Sequence, residues 1–136
     1  MSDSTTTVWD PLRKKEVALT PEERVRQWFI SLLRDGLHVP VHMMNSEVEL
    51  SFGAAGKTYR ADIVVFGSDG KPAAVVECKR PDVSLDRKVL EQALRYDMVL
   101  GVKCIFITNG IETMAFRLAD GSWKRLAKLP TYGEML

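Results

Sequence analysis

The sequence has 136 residues, of which 46% are hydrophobic and 27% are charged, and its formal net charge is +1. This composition is typical of one globular domain, and the small net charge excludes a basic field over the whole surface, so a nucleic-acid site would have to be local. No apolar run reaches the roughly 18 residues needed to span a membrane, and the N-terminus lacks a secretory signal pattern. We therefore predict a cytoplasmic protein without membrane contact, whose two cysteines are buried and reduced.

The first regular element is a helix in "TPEERVRQWFISLLRDG". Thr20 is its predicted N-cap, Pro21 suits the first helical position, and Glu23 would complete a capping box. Gly36 supplies the residue type that commonly ends a helix. The apolar residues between these signals recur at helical spacing, which predicts one face packed against a core.

From Glu47 onwards the pattern changes to short apolar runs separated by glycine-containing turns. "SEVELSF", "YRADIVVF" and "AAVVECK" predict three strands joined by the turns "GAAG" and "GSDGKP". "SLDRKVLEQALRYDMVLG" predicts a second helix, with Ser84 as its cap and Gly101 at its end. "KCIFIT" and "IETMAFRL" predict a further hairpin, and "SWKRLAKL" predicts either an edge strand or a short helix.

These elements predict an α/β domain with a mixed sheet in the order αβββαββ. Tight turns join antiparallel neighbours, whereas the second helix is long enough to be a crossover that makes "KCIFIT" parallel to one of the first three strands. The helices would cover the faces of the sheet. We predict a flexible tail over residues 1–9 and a single domain over residues 10–136.

Charged residues interrupt two of the apolar strands. If the "DG" of "GSDGKP" forms the centre of the turn, Asp62 lies opposite Glu77 and Arg60 lies opposite Lys79. Strand alternation then places all four side chains on one face of the sheet. Facing β-carbons are about 4.5–5.5 Å apart, and like charges at such positions destabilise a sheet. The two carboxylates would therefore need a compensating cation.

Two interpretations of this cluster remain open. In one, diagonal salt bridges join Asp62 to Lys79 and Glu77 to Arg60, as is usual on an exposed sheet. In the other, Asp62, Glu77 and the backbone carbonyl of Cys78 hold a divalent metal ion such as Mg²⁺. Because the remainder of this face is apolar, unpaired carboxylates would be unfavourable there. A metal site would suit phosphodiester hydrolysis, with Lys79 positioning water or stabilising the developing charge.

The same residues resemble a known family. "AD", fourteen residues and then "ECK" resemble the Asp…Glu-x-Lys active site of the PD-(D/E)xK nuclease superfamily. "LTPEERVRQ", "YRADIVVF", "VVECKRP", "LEQALRYD" and "FITNG" are similar, in this order, to signatures of the N-terminal nuclease domain of type I restriction enzyme R subunits. The resemblance covers residues 10–118 and implies a restriction-endonuclease-like fold and an Mg²⁺- or Mn²⁺-dependent endonuclease that cleaves DNA. It implies Asp62, Glu77 and Lys79 as the catalytic residues, with Ala61 in place of the usual proline.

The resemblance also implies three supporting residues. Glu22 matches a first-helix glutamate that assists the metal site, and helical geometry predicts that it lies nearer the inner face of the helix than Glu23. Compensation of the helix dipole explains Glu22 equally well. Gln92 and Tyr96 match a Gln-x-x-x-Tyr pair after the catalytic lysine, and their spacing places them on one side of the second helix. Without the resemblance, we would interpret Tyr96 as a core residue and Gln92 as a solvated edge.

Phosphate contacts and partners are predicted more broadly. Arg80 and the basic cluster Arg13, Lys14 and Lys15 would contact DNA, the alternative being a solvated surface. The chain lacks the length for a translocase and has no Walker-type phosphate loop, so we expect a stand-alone nuclease domain or a fragment carrying that domain. The alternatives are a non-catalytic nucleic-acid-binding or regulatory module, or a nuclease active only with a translocase or specificity subunit. A homodimer is possible because one active site cuts one strand, and restriction-modification is the pathway implied by analogy.

Overall fold

A computed structural model of the protein describes residues 6–52 and 56–136. The described part contains the predicted αβββαββ elements, preceded by a hairpin and followed by a strand and a short helix. A π-helical turn follows α1, and a 3₁₀ turn precedes β3. The elements are β1 (Thr7–Asp10), β2 (Lys15–Ala18), α1 (Pro21–Ser31), the π-helical turn Leu32–Gly36, the 3₁₀ turn Val41–Met43, β3 (Met44–Phe52), β4 (Lys57–Phe66), β5 (Pro72–Cys78), α2 (Arg87–Leu100), β6 (Cys104–Thr108), β7 (Thr113–Ala119), β8 (Ser122–Arg125) and α3 (Tyr132–Met135).

Six strands form one mixed sheet in the order β3-β4-β5-β6-β7-β8. β5 and β6 are parallel, as predicted for strands joined through a helical crossover, and the other neighbouring pairs are antiparallel. "SWKR" forms the edge strand, the first of the two structures predicted for that segment. The predicted mixed α/β sheet is therefore confirmed. No helix in the described ranges is both long and apolar enough to cross a membrane.

A separate two-stranded sheet, β1-β2, precedes the main fold. Its first strand begins at Thr7, so the predicted flexible tail over residues 1–9 is wrong for residues 7–9, which pair with β2. Residues 1–5 and 53–55 lie outside the described residues, and most of the predicted "GAAG" turn falls in the second of these gaps.

Helix α1 starts as predicted but ends differently. Thr20 accepts a hydrogen bond from the Glu23 backbone N–H at 3.1 Å, and Pro21 occupies the first turn. The Glu23 carboxylate does not complete a capping box, because it binds the side chains of Arg13 and Gln27 instead. The regular helix ends at Ser31, and a π-helical turn continues to the predicted end at Gly36.

The helices cover opposite faces of the main sheet, each over its own apolar cluster. On the α1 face, Phe29 is fully buried and packs edge-on against Phe106 of β6, with ring centroids 5.5 Å apart. On the α2 face, Ala93 belongs to a cluster with strand residues such as Val75. Helix α2 is capped by Asp86 and not by the predicted Ser84, because the Asp86 carboxylate accepts the Val89 N–H; it ends at the predicted Gly101 in the left-handed conformation. Cys78 and Cys104 are buried and unpaired, as predicted.

The β4–β5 hairpin has the predicted register but a different turn. Ile63, Val64 and Val65 pair with Val76, Val75 and Ala74, which is the alignment that the "DG" turn predicted. The loop itself spans residues 67–71 and is closed by a hydrogen bond from the Gly67 N–H to the Lys71 carbonyl. A register shift next to Val65 compensates for the longer loop. The predicted register therefore holds for the apolar residues of the two strands.

Candidate active site

The sheet ladder is interrupted at Asp62. On β3 and β4 the residue pairs on either side of Glu47 and Asp62 are in register, but these two residues do not pair with each other. The β4–β5 ladder likewise begins only at Ile63, one residue beyond Asp62. Glu47 has a φ of 52°, a conformation that is uncommon for a residue with a side chain. The regular strand is therefore broken at the position of the predicted catalytic aspartate.

The break also changes which face the strand residues occupy. Ala61 and Val64 both belong to the α2-face cluster although they are three residues apart, while Ile63 belongs to the α1-face cluster. Strict alternation would place residues three apart on opposite faces. The prediction that Arg60, Asp62, Glu77 and Lys79 share one face therefore fails for Arg60, which is exposed and pairs with Glu49 across the sheet at 3.9 Å.

The Asp62 carboxylate is held from two directions. Its Oδ2 accepts a hydrogen bond from the Cys78 backbone N–H at 2.7 Å, and its Oδ1 lies 3.6 Å from Nη2 of Arg26 on α1. Burial raises the pKa of Asp62, while the Cys78 amide and Arg26 oppose that shift. Asp62 is therefore a partly buried carboxylate whose orientation is fixed by the main chain of β5 and by a guanidinium group.

Glu77 has very different surroundings. Only 8% of the residue is exposed, and its Oε1 is buried without a hydrogen-bond partner in the described structure. Burial raises its pKa to about 7, against the opposing effect of Lys79. The Oε1 of Glu77 is therefore open to a hydrogen-bond donor or a metal ion at neutral pH. Such a ligand would be favourable, because a buried polar oxygen without a partner destabilises the folded state.

Lys79 and Glu22 act on both carboxylates. The Lys79 ammonium lowers the pKa of Asp62 and of Glu77, and the Glu22 carboxylate raises both. The main chain of Lys79 is fixed by a hydrogen bond from its N–H to the Thr108 carbonyl at 2.8 Å. The structure thus brings the three residues of the predicted catalytic set into one electrostatic environment, together with Glu22.

The relative exposure of the two α1 glutamates differs from the prediction. Glu22 was expected nearer the inner face, but it is the more exposed: its side chain is 45% accessible, against 8% for Glu23. Glu22 nevertheless lies 3.9 Å from Arg26. Its influence on the site therefore comes from the edge of the cluster and not from its interior.

Neither of the predicted diagonal salt bridges forms among the described residues. The ion-pair partner of Asp62 is Arg26, and that of Arg60 is Glu49. Arg26 was not singled out in the sequence, because an arginine on an amphipathic helix normally faces solvent. Its only sequence signal is its position one residue after Val25, within the predicted apolar face.

The residues of this site lie within the range matched by a protein family. The model of the type I restriction enzyme R protein N terminus (HSDR_N) matches residues 21–130, which is most of the chain.

The chain belongs to this family.

Solved structures with the same fold include three informative neighbours of this HSDR_N domain. A fragment of a proposed HsdR subunit of a type I restriction enzyme from Vibrio vulnificus YJ016 superposes with a TM-score of 0.64 at 24% identity, over 86% of this chain and 24% of that chain. A proposed nuclease of family DUF820 from Anabaena variabilis ATCC 29413 has a TM-score of 0.56 at 12% identity, over 99% and 86% of the two chains. The DrdV–DNA complex, solved by cryo-electron microscopy, has a TM-score of 0.53 at 21% identity, over 77% and 10%.

These neighbours confirm the restriction-endonuclease-like fold. The HSDR_N domain spans about a quarter of the length of the HsdR fragment and about a tenth of the DrdV chain. No curated protein shows significant sequence similarity to it. In family and fold, the domain is therefore nuclease-like.

The predicted supporting residues of the HSDR_N domain are only partly brought to the site. Gln92 lies on α2 and lines a cavity of ≈160 Å³ together with Glu77, Lys79 and Tyr59. Tyr96 is on the same helix, but its side chain lies outside the described residues. Tyr59 was not predicted as a site residue, although its aromatic ring directly precedes the "RAD" segment. The carboxylate of Glu77, whose Oε1 has no hydrogen-bond partner, therefore faces α2 across this cavity.

The predicted phosphate contacts differ in their availability. Arg13 is engaged with three carboxylates, those of Asp10, Glu23 and Glu47, so it is a structural ion-pair residue in this state and the predicted role as a free phosphate contact is not supported. Its neighbours Lys14 and Lys15 are exposed, and so is Arg80, which pairs with Asp82 at 2.9 Å.

The donor set can be compared with the needs of a divalent ion. Within the described residues, no group of three or more His, Cys, Asp or Glu side chains forms a complete metal-binding set. Mg²⁺ does not require one, since it usually binds through one or two carboxylates, keeps several waters and takes substrate phosphate oxygens. Asp62 and Glu77 are hard oxygen donors, and Glu77 has a buried oxygen without a partner. The residues present therefore fit Mg²⁺ or Mn²⁺.

Proposed function

We propose that this domain is a divalent-metal-dependent endonuclease that hydrolyses phosphodiester bonds in DNA. The observation that carries the proposal is the unsatisfied, buried Oε1 of Glu77, two residues before Lys79. A protein rarely buries a carboxylate without a partner unless a ligand completes it. Membership of the HSDR_N family supports the proposal that this ligand is the metal ion of a nuclease.

Asp62 and Glu77, with the backbone carbonyl of Cys78, would hold Mg²⁺ or Mn²⁺. The positive ion would offset the burial that raises the pKa of both carboxyls. A bound divalent ion polarises a phosphoryl oxygen and lowers the pKa of coordinated water. The fixed orientation of Asp62 supports this role, because its carboxylate needs little reorganisation before it accepts a ligand.

Lys79 is the proposed remaining catalytic group. It acts on both carboxylates and lines the cavity next to Glu77. Its ammonium group would donate hydrogen bonds to the attacking water or to a phosphate oxygen, and so stabilise negative charge in the transition state. Gln92 would contact substrate from the α2 side of the cavity, and Glu22 would adjust the charge at its edge.

DNA is the proposed substrate. The DrdV neighbour was solved in complex with DNA, and exposed Lys14, Lys15 and Arg80 could contact phosphates around the site. One such active site cuts one strand. Cleavage of both strands of a duplex would therefore require either two domains in a homodimer or two successive cutting events.

A second candidate is a nuclease subunit that is active only when bound to a translocase or specificity protein. The observation that favours it is the likeness to a fragment of a proposed HsdR subunit, which is one subunit of a type I restriction enzyme. A non-catalytic nucleic-acid-binding module on the same fold is a third outcome, distinguished by the test below.

The test combines metal binding and cleavage. Mg²⁺ and Mn²⁺ are titrated calorimetrically into the wild-type chain, into Asp62→Ala and into Glu49→Gln. Each protein is then incubated with supercoiled plasmid, and both binding to the plasmid and its nicking are measured. Glu49→Gln is the matched control, because it removes an exposed carboxylate from the neighbouring strand.

We expect metal binding and metal-dependent nicking by the wild type and the control, and loss of both in Asp62→Ala. Metal binding without nicking would favour the partner-dependent nuclease. DNA binding without metal binding would favour the non-catalytic module. A wild type that binds neither metal nor DNA would contradict the proposal.

A further inference from the structure

Among the described cationic residues at the site, Arg26 contacts the largest number of carboxylates, although its side chain is buried. Only 4% of the residue is exposed. Its Nη1 is 3.0 Å from the Glu47 carboxylate and 3.3 Å from the Ser46 hydroxyl, and its Nη2 is 3.6 Å from Asp62. Its guanidinium also lies within 4 Å of the carboxylates of Glu22 and Glu23. One planar group thus connects α1 with both strands at the break in the ladder.

Glu47 is the principal anchor of this arginine. It contacts Arg26 at 3.0 Å and Arg13 at 3.5 Å. Burial would raise its pKa, but its hydrogen bond to Arg26 and the charges of the arginines lower it below the ordinary value, so Glu47 is a stable anion at neutral pH. Its left-handed backbone conformation, φ 52°, is unfavourable for a residue with a β-carbon.

The strained position of Glu47 is directly across the sheet from Asp62. The residue pairs on both sides are regular, so the surrounding hydrophobic packing does not require the break. Strained backbone that persists within an otherwise regular element is characteristic of functional positions. Here the break allows two carboxylates on facing strands, Glu47 and Asp62, to reach the same guanidinium.

We propose that Arg26, anchored by Glu47, is the positioning residue of Asp62 and holds its carboxylate ready for a divalent ion. Arg26 occupies one side of Asp62 Oδ1, and the Cys78 N–H fixes Oδ2 at 2.7 Å. Glu47, Glu22 and Glu23 reduce the positive charge that Arg26 would otherwise present to the ion. The inference rests on the proposed function only where it concerns the metal, because the orientation of Asp62 can be measured without one.

The Cys78 amide provides the metal-free measurement. It donates a short hydrogen bond to an ionised carboxylate, which shifts its proton resonance and protects it from exchange. The resonance and the hydrogen-exchange rate are compared in the wild type, Glu47→Gln, Arg26→Lys and the control Glu49→Gln, all without metal. Glu47→Gln keeps the size of the side chain, and Arg26→Lys keeps the charge without the planar fork.

The same four proteins are titrated with Mn²⁺. We expect Glu47→Gln and Arg26→Lys to shift the Cys78 resonance, to exchange that amide faster and to bind Mn²⁺ about tenfold more weakly, in line with other residues that orient metal ligands. Glu49→Gln should match the wild type in all three measurements. Circular dichroism verifies that each variant is folded, and Glu47→Gln alone is sufficient if Arg26→Lys does not fold.

Two outcomes would overturn the inference and are distinguishable. If the wild type binds Mn²⁺ and Glu47→Gln has an unchanged Cys78 amide and an unchanged affinity, Arg26 does not position Asp62, while the proposed function stands. If the wild type binds no Mn²⁺ at all, the proposed function fails, and the positioning role towards a metal fails with it.

Discussion

The surroundings of Asp62 and Glu77 differ although both are buried carboxylates on neighbouring strands. Asp62 is hydrogen-bonded to the main chain of β5 and faces a guanidinium group from α1. Glu77 faces α2 across a small cavity, and one of its oxygens has no partner. The carboxylate on the α1 side of the site is therefore paired, and the carboxylate on the α2 side is not fully paired.

This difference suggests how a site for a divalent ion can be both ordered and available. If both carboxylates were fully paired, a ligand would have to break existing interactions before binding. If neither were paired, the folded state would bear the full desolvation of two charges. Fixing Asp62 and leaving Glu77 open confines the unfavourable burial to one residue. The following predictions test each side of this comparison.

The largest effect is expected on the paired side, from Arg26→Met. Removing the cation leaves Asp62 without its guanidinium partner and leaves Glu23 and Glu47 with Arg13 as their remaining arginine, so the free energy of unfolding should fall by about 3–5 kcal/mol. Urea denaturation at pH 7 measures the change. The matched control is Arg87→Met on the exposed surface of α2, which should leave the midpoint nearly unchanged. Equal stability of the two variants would show that the α1 side is not held by ion pairing.

On the open side, Glu77→Gln should stabilise the protein at high pH. The folded-state pKa of Glu77 is about 7, above its ordinary value of 4.5. The folded protein therefore holds this proton more tightly than the unfolded chain, and the wild type loses stability as the pH rises from about 4.5 to about 7. The variant lacks this loss and should be more stable by roughly 1–3 kcal/mol at pH 8, with little difference at pH 4.

Urea denaturation across this pH range checks that prediction. Glu91→Gln, at an exposed glutamate of α2, is the control and should follow the wild type at every pH. A destabilised Glu77→Gln at pH 8 would mean that the ionised Glu77 has a compensating partner after all.

Ser46→Ala tests a smaller contribution to the paired side. The Ser46 hydroxyl donates to the Asp62 carbonyl at 3.2 Å and accepts from Arg26 at 3.3 Å. Its removal should lower the free energy of unfolding by about 1 kcal/mol. Thermal denaturation should detect this, whereas Ser122→Ala, at an exposed position in β8, should leave the melting temperature unchanged. Equal melting temperatures of Ser46→Ala and Ser122→Ala would show that the Ser46 hydroxyl does not stabilise the paired side of the site.

The smallest effect is expected from Lys79→Met. Lys79 opposes the burial-induced rise in the pKa of Glu77, so without it that pKa should increase further. The pH range over which the protein loses stability should then extend to higher pH, as measured by urea midpoints from pH 5 to pH 9. Lys88→Met on α2 is the control. An unchanged pH range would indicate that Lys79 does not act on Glu77.

The regular parts of this structure follow from the sequence, because local rules decide them. Thr20 caps α1 through its hydroxyl, Gly101 ends α2 in the left-handed conformation, and the apolar residues of β4 and β5 pair in the predicted register. The register survived an incorrect turn because burying the apolar residues of both strands fixes their pairing more strongly than the loop does.

The irregular parts could not be predicted, because they depend on contacts between distant segments. The break at Asp62 reverses strand alternation, and nothing in "YRADIVVF" signals it. Glu23 satisfied the rule for a capping box, yet Arg13 from the preceding hairpin binds its carboxylate instead. The role of Arg26 could not be predicted for a related reason, since its partners Glu47 and Asp62 come from strands that are remote in sequence.

The alkylation of the Cys78 thiol can be used to follow the opening of the site over time. This thiol is buried on the α1 face, and burial raises its pKa well above the ordinary value, so alkylating reagents should react with it only when the packing around β5 opens. The backbone N–H of the same residue holds Asp62. The alkylation rate of Cys78 therefore reports how often the protein transiently releases Asp62, and Cys104, which is also buried and lies on the neighbouring strand β6, supplies an internal reference.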